Sequence, residues 1–356
     1  MKRLLQIPGY VEGVKRVAAL DLPWEKLRGK TILITGGTGL IGSFLIDVLH
    51  AANLGCRVLL FGRSEEKAKT RFAEYWGEGW LRFKEFESLK VQEFESSRVR
   101  AFERLDYVIH LASNTHPVAY ATDPIGTIAT NVIALNNLLA MAAEMGATRF
   151  LFASSNEIYG ENRGDAELFD EKYCGYIDCN TLRAGYPESK RCGEALCQAY
   201  IRQKGLDCVI ARLTRTYGPT ILQTDTKAIS QFFNNALHGE DIVLKSEGRQ
   251  HYSYQYVADS VSGLLTVLLN GASGEAYNIA DESGDITLRD LAALIAGLAG
   301  RKVVFDLPDA VEAAGFSKAT KARLDGRKLR GIGWRPFYDI RSGVSAAFGI
   351  MNGRNV

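Results

Sequence analysis

Cysteine, histidine and long apolar runs are scarce in this 356-residue chain, and each shortage excludes a class of protein. Its six cysteines (Cys56, Cys174, Cys179, Cys192, Cys197 and Cys208) show no paired CxxC spacing, which favours reduced thiols over a zinc site or a disulfide framework. His116, His238 and His251 lack metal-ligand spacing as well, so no metal is expected. Nor is positive charge in excess. Against 43 Lys and Arg stand 41 Asp and Glu, a formal net charge of +2, with no dense basic block to meet a nucleic-acid backbone. No apolar run reaches the ~18 to 20 residues that cross a bilayer. Met1 to Leu20 holds Pro8, Gly9, Glu12, Lys15 and Arg16 where a signal peptide would be apolar. The expectation is a cytoplasmic protein with neither nucleic acid nor membrane as partner.

With 46% apolar and 24% charged residues, the composition is that of a globular protein rather than a disordered one. Val11, Val14, Val17 and Leu20 recur at helical spacing before Leu22-Pro23, which predicts a short helix docked on the main body. From Lys30 the pattern changes. Thr31 to Thr35 reads as a buried strand, followed by a glycine-rich turn and a helical run from Leu40 to Leu49. Further strands are predicted at 58–61, 107–111, 150–153, 208–211 and 276–279. Helices are predicted at 131–145, 228–237 and 288–298. The aromatic and acidic segment 62–105, with Phe72, Tyr75, Trp76, Trp80, Phe83, Phe86 and Phe94, is expected to hold a helix and a short strand. Its aromatics are expected to be core or cover. After the helix at 288–298 the chain reads as a polar stretch ending in Gly333-Trp334-Arg335-Pro336. Strands alternating with helices make the fold α/β, a doubly wound parallel sheet.

Gly36-Gly37-Thr38-Gly39-Leu40-Ile41-Gly42 lies between a predicted strand and a predicted helix, the context a dinucleotide fingerprint requires. Glycines there let the backbone turn sharply and let a pyrophosphate approach the helix N-terminus, where free N–H groups and the helix dipole meet its charge. The acidic residue that usually ends the second strand is missing, because Phe61 is followed by Gly62-Arg63-Ser64. Arg63 suits the 2′-phosphate of NADP as well as it suits stacking on adenine, so NAD and NADP both stay open on this feature. His110, ending a strand beside this loop, is expected to be a packed, hydrogen-bonded histidine.

Tyr186-Pro187-Glu188-Ser189-Lys190 places a phenol and an ammonium one helical turn apart, so both can face one site. A nearby Lys⁺ and a positive nicotinamide favour phenolate, the form a base needs to take an alcohol proton.

Taken in order, TGGTGLIG (Gly36 to Gly42), HLAS (His110 to Ser113), SSNEIYG (Ser154 to Gly160), YPESK (Tyr186 to Lys190), RLTRTYGP (Arg212 to Pro219), YQYVAD (Tyr254 to Asp259), YNIA (Tyr277 to Ala280) and GWRP (Gly333 to Pro336) resemble the extended short-chain dehydrogenase/reductases that modify nucleotide sugars. Among these, the run from Leu111 to Asn131 and the stretch from Lys190 to Tyr217 look most like UDP-glucuronate decarboxylases, with sugar 4,6-dehydratases next. The resemblance implies a Rossmann-type domain over 30–217 behind a helical extension at 1–29. A smaller, mainly substrate-binding domain follows over 218–356, from which strand 276–280 returns to the first sheet. It also implies bound NAD held by Gly36, Thr38, Gly39, Leu40, Ile41, Gly42, Arg63, Leu111, Ala112, Ser113, Tyr186 and Lys190. In the shared opening step Tyr186 takes the proton of the sugar 4-hydroxyl, Ser155 bonds to the same hydroxyl, and a hydride leaves C4. Decarboxylation or dehydration follows. Glu157 stands where decarboxylases and dehydratases carry glutamate, which speaks against simple 4-epimerisation.

Three positions depart from the family pattern. Asn156 replaces the Asp of dehydratases and the Ser of decarboxylases, and as an amide it cannot act as an acid. Tyr252 stands where an Arg is commonly supplied to the substrate, and Arg215 replaces an Asn. Arg215 is expected to compensate for the lost arginine, with Arg249 as the rival. A 4-epimerase and a catalytically silent nucleotide-sugar or dinucleotide-binding protein are the alternatives. The resemblance further implies a homodimer through helices around 131–145 and 185–200, with Leu135, Leu138, Leu139, Ala195 and Leu196 on the shared face.

Overall fold

A computed structural model describes residues 3–85, 104–115, 122–222, 225–306 and 321–355. His116, Phe86 and Phe94 lie outside the described residues. The strands are β1 (Thr31–Thr35), β2 (Arg57–Gly62), β3 (Leu81–Glu85), β4 (Tyr107–His110), β5 (Arg149–Ser155), β6 (Cys208–Leu213), β7 (Arg215–Tyr217), β8 (Ile242–Leu244), β9 (His251–Tyr256), β10 (Ala276–Ile279), β11 (Asp285–Thr287), β12 (Val303–Phe305) and β13 (Lys321–Ala322). Seven of them form one sheet in the order β10-β6-β5-β4-β1-β2-β3, and every pairing in it is parallel. The apolar runs of β1, β4 and β5 are buried along almost their whole length, as strands covered on both faces by helices must be. Strand order reverses between β1 and β4, so the turns leaving these two strands flank the crevice where doubly wound sheets bind ligands.

Five helices matter for the site: α1 (Pro8–Ala18), α2 (Leu40–Ala52), α3 (Glu65–Arg71), α4 (Pro124–Glu144) and α5 (Gly185–Lys204). Among the described residues α4 alone is long and apolar enough to cross a bilayer by length and composition. Half of it is buried in the chain's own fold, where Leu135, Leu138, Leu139 and Ala142 pack with Leu33, Val108, Phe150 and Phe152 of the sheet. Those three leucines therefore belong to the monomer core and do not form an outer face. The apolar residues that α4 turns outward are Ile125, which is 80% exposed, Ile128 and Ile133.

The helix and strand expected in 62–105 are α3 and β3, with Phe72 and Tyr75 buried and Trp76, Trp80 and Phe83 packed against the same core. After Tyr217 the sequence was less telling. The small sheet there runs β11-β9-β13, β7 also pairs with β9, and β8 pairs with β12. The helix Val257–Asn270 is buried at every residue through Leu269. Past Pro336 a helix over Ile340–Asn355 is anchored by buried Val344, Ala347 and Ile350.

Candidate active site

The turn after β1 has the geometry its glycines suggest. Gly36 sits at φ 69°, and a Cβ there would lie 2.8 Å from the backbone of Leu111 and Ala112, so only glycine lets this turn pass the end of β4. A Cβ on Gly42 would collide with the Gly36 carbonyl and Gly37, which shows that the first turn of α2 lies directly against the loop. Gly39 is the N-cap of α2 and supplies no side chain, and a Cβ there would meet only the Gly36 oxygen at 3.3 Å. Thr38, Gly39, Leu40 and Ile41 are half-buried, so the helix N-terminus stays open to an anion. Arg63 is exposed at the end of β2, and Ser64 caps α3 by accepting from Lys67 N at 3.3 Å.

Beside this loop Thr35 accepts from Ala112 N at 3.1 Å and lies 2.7 Å from His110 Nδ1. The other ring nitrogen, Nε2, is buried and has no partner among the described residues. Burial, with the nearby Lys190 charge second, pulls the His110 pKa down to about 3. The ring is a neutral, packed histidine, as expected.

Tyr186 and Lys190 enter from the first turns of α5. Both are buried, and the Lys190 ammonium donates to Ala153 O at 2.8 Å and lies 5.9 Å from the centre of the Tyr186 ring. The Tyr186 hydroxyl is hydrogen bonded to Ser155 and Ser113. Ser155 ends β5 and caps the short 3-10 turn Asn156–Tyr159, accepting from Glu157 N at 3.2 Å. One partner escaped the sequence reading. Asn131 is fully buried, accepts from Ser113 Oγ at 2.7 Å and donates to Ser189 Oγ at 2.9 Å, joining α4 to α5 beneath the phenol. It projects from a π-helical turn, Thr130–Ala134, of the kind that concentrates at functional sites.

On the far side of Tyr186, Glu157 raises the phenol's pKa by its charge and lies 3.5 Å from Arg183 Nη2. Arg183, on the turn just before α5, is a second residue the sequence did not single out. Asn156 is buried next to Ser155. Tyr252 on β9 feels the charges of Arg215, Arg183 and Glu157, and the Arg215 guanidinium stacks on its ring at 3.6 Å from the centroid. Arg249 is elsewhere: its side chain is 84% exposed and pairs with Glu247 at 2.7 Å. No group of three or more His, Cys, Asp or Glu side chains that could hold a metal occurs among the described residues.

Comparison with known proteins agrees with this geometry. Residues 32–280 match the model of the NAD dependent epimerase/dehydratase family. The chain belongs to that family. It is 32% identical over 318 residues to UDP-glucuronic acid decarboxylase 1 of Danio rerio, covering 89% of this chain and 71% of that one. Its fold matches the UDP-glucose 4-epimerase of Thermotoga maritima (TM-score 0.78, 24% identity, 92% of this chain and 100% of the other). It also matches the dTDP-glucose 4,6-dehydratase DesIV of Streptomyces venezuelae with NAD bound (TM-score 0.77, 24% identity, 91% and 98%).

NAD is the cofactor of the family, and the residues present fit it: a glycine turn that admits no side chain, an open helix N-terminus, and a buried His110 nitrogen left unpaired. By the chain's own groups the Tyr186 phenol is pushed well above its usual range, chiefly by burial and then by Glu157, against the lowering pull of Ser155 and Ser113. Burial also drives Lys190 down to about 7. The positive charge of a bound nicotinamide, expected to act together with Lys190, would oppose that burial.

Proposed function

We propose that this protein oxidises the C4 hydroxyl of a nucleotide-bound sugar and then removes the C6 carboxylate as carbon dioxide, a UDP-glucuronate decarboxylase-like lyase. Bound NAD supplies one chemistry here, taking the C4 hydride and returning it at the end. Tyr186 takes the C4 hydroxyl proton and gives it back to that oxygen when the carbonyl is reduced. Ser155 shares a hydrogen bond with Tyr186 and orients the same hydroxyl, while Lys190 and Asn131, behind the phenol, hold it in place.

The observation that carries the reading is Asn156. Buried next to Ser155, its amide cannot serve as the acid that aspartate provides at this position in dehydratases, which speaks against water loss. Loss of a carboxylate adjacent to C5 from a 4-keto sugar needs no acid at this point. The electron pair left on C5 as carbon dioxide departs then takes a proton, a step for which Glu157, paired with Arg183 and close enough for its charge to act on Tyr186, is placed.

Incubation with UDP-glucuronate, followed by mass analysis of the product, tests this: the expected product has lost carbon dioxide. Loss of water from a UDP-, dTDP-, GDP- or CDP-hexose instead would make the protein a dehydratase, and a product of unchanged mass a 4-epimerase. Failure to reduce bound NAD with any of them would make it a binding protein. Exposed Ile125, Ile128 and Ile133 on α4, next to α5, support a homodimer, to be checked by light scattering at micromolar concentration. The free thiols at all six cysteines support a cytoplasmic location.

A further inference from the structure

We propose that Arg215 is the anion-binding residue of the substrate pocket, a guanidinium delivered from β7 and fixed in place by the ring of Tyr252. The inference rests on the nucleotide-sugar reading above and names the group that meets the substrate's negative oxygens.

Strand pairing sets up the exchange. β7 runs parallel to β9 with Arg215 opposite Tyr254, so Tyr252, two residues back on the same face, lies diagonally beneath the arginine. The guanidinium carbon lies 3.6 Å above the Tyr252 ring centre, a stack that fixes the plane of the fork. Its Nη1 is buried and has no hydrogen-bond partner among the described residues. A buried, unpaired guanidinium nitrogen is costly, and an anionic oxygen is the partner that best removes the cost.

The neighbouring arginines are already engaged. Arg212 binds Glu194 at 2.7 Å, Arg183 faces Glu157, and Arg249 points outward to Glu247. Arg323, just after β13, also keeps a buried unpartnered Nε but pairs with Glu167 and Asp285, so Arg215 is the guanidinium on this wall with a buried nitrogen to satisfy and no carboxylate partner among the described residues. The wall is the reacting one, because Tyr252 is within reach of the charge of Glu157, and Glu157 within reach of Tyr186. Where the family pattern places an arginine on β9, this chain has turned that position into a platform and brought the charge from the adjacent strand. The ligand chemistry is an anionic oxygen pair, supplied either by the nucleotide diphosphate or by the sugar carboxylate.

Titration calorimetry on the protein carrying its cofactor, with UDP, UDP-glucose and UDP-glucuronate, tests the assignment. Arg215→Asn is expected to weaken binding by ~10- to 100-fold with cofactor content unchanged. An equal loss for all three ligands assigns the diphosphate, and a loss confined to UDP-glucuronate assigns the carboxylate. The exchange variant Arg215→Asn/Tyr252→Arg is expected to recover most of the affinity, and Tyr252→Phe, which keeps the ring, to stay within ~3-fold of the unaltered protein. Unchanged affinity in Arg215→Asn, or a loss that the exchange variant fails to recover, overturns the proposal. If the unaltered protein binds none of the three ligands, the UDP-glucuronate reading itself falls.

Discussion

The buried polar cluster under the N-terminal helix and the one at the carboxyl ends of the sheet use the same residue types, yet they are completed differently. In the first, Asp47 of α2 accepts from Tyr10 and Tyr75 hydroxyls and from Arg71 Nη2, each at 2.5 Å, and Arg71 also donates to the Tyr10 oxygen at 3.0 Å. Carboxylate, guanidinium and phenols satisfy one another and tie α1, α2 and the segment after α3 together. In the second, His110 Nε2 and Arg215 Nη1 are buried without partners, and Lys190 has a single carbonyl. Both clusters are far enough from water that an unmet donor is costly. Only the second retains unpartnered atoms, His110 at the end of β4 beside the strand-order reversal and Arg215 on β7. A closed network stabilises the fold, whereas an open one keeps donors for a ligand.

Breaking each cluster at its centre should expose that difference most strongly. Tyr186→Phe keeps the ring and removes the ionisable hydroxyl, so turnover is expected to fall by ~10²- to 10⁴-fold with bound NAD retained by mass spectrometry. Near-normal turnover would remove Tyr186 as the base. Asp47→Ala strips Tyr10, Tyr75 and Arg71 of their common acceptor and leaves a buried guanidinium uncompensated. The expected cost is about 3 to 5 kcal/mol in urea unfolding, with turnover of the folded protein preserved. A loss under about 1 kcal/mol would show that the closed network contributes little.

How much of each cluster was legible from the chain depends on how its residues signal themselves. β1, β4 and β5 of the large sheet announce themselves because both faces are buried and the runs are largely apolar. β9 does not. Its His-Tyr-Ser-Tyr-Gln-Tyr run reads as polar although Tyr252 to Tyr256 are buried, because Ser253 finds Asp285 and Leu324 N as partners within the fold. Tyr186, Lys190 and Ser155 were readable from spacing and motif. Asn131 was not, since a π-helical turn adds a residue to the ladder without altering the composition that marks a helix. Arg183 became visible only through its approach to Glu157. Arg249, as near in sequence to β9 as Tyr252, turns outward, and nothing in the one-dimensional pattern distinguishes the two directions.

The open cluster should also respond to acid through His110. Its folded-state pKa, about 3, lies below the ordinary 6.5, so between these values the unfolded chain binds a proton that the folded chain refuses. The resulting stability is complete above pH 6.5 and drains away as the pH falls toward 3. His110→Asn removes the titrating ring. The gap between unfolding free energies at pH 7 and pH 4 is therefore expected to shrink by up to about 3 kcal/mol relative to the unaltered protein. An unchanged gap would mean that other groups set the acid limb.

The smallest effect is expected from the gentlest cut in the closed cluster, Tyr10→Phe. The ring remains, and with it the edge-to-face contact with Phe44 at 5.4 Å. Only the hydroxyl is lost. Asp47 keeps Tyr75 and Arg71, so no charge is stranded, and the loss of the hydroxyl's two hydrogen bonds, to Asp47 and from Arg71, should cost about 2 kcal/mol in urea unfolding. Because Asp47 lies on α2, whose N-terminus carries Gly39 and Gly42, this variant also separates two roles for the N-terminal helix. If the extension serves stability alone, NAD affinity and turnover should match the unaltered protein while the unfolding midpoint drops. A fall in NAD affinity without a matching fall in stability would instead show that α1 sets the position of the glycine turn through α2, and the closed cluster would then belong to the binding machinery it was contrasted with.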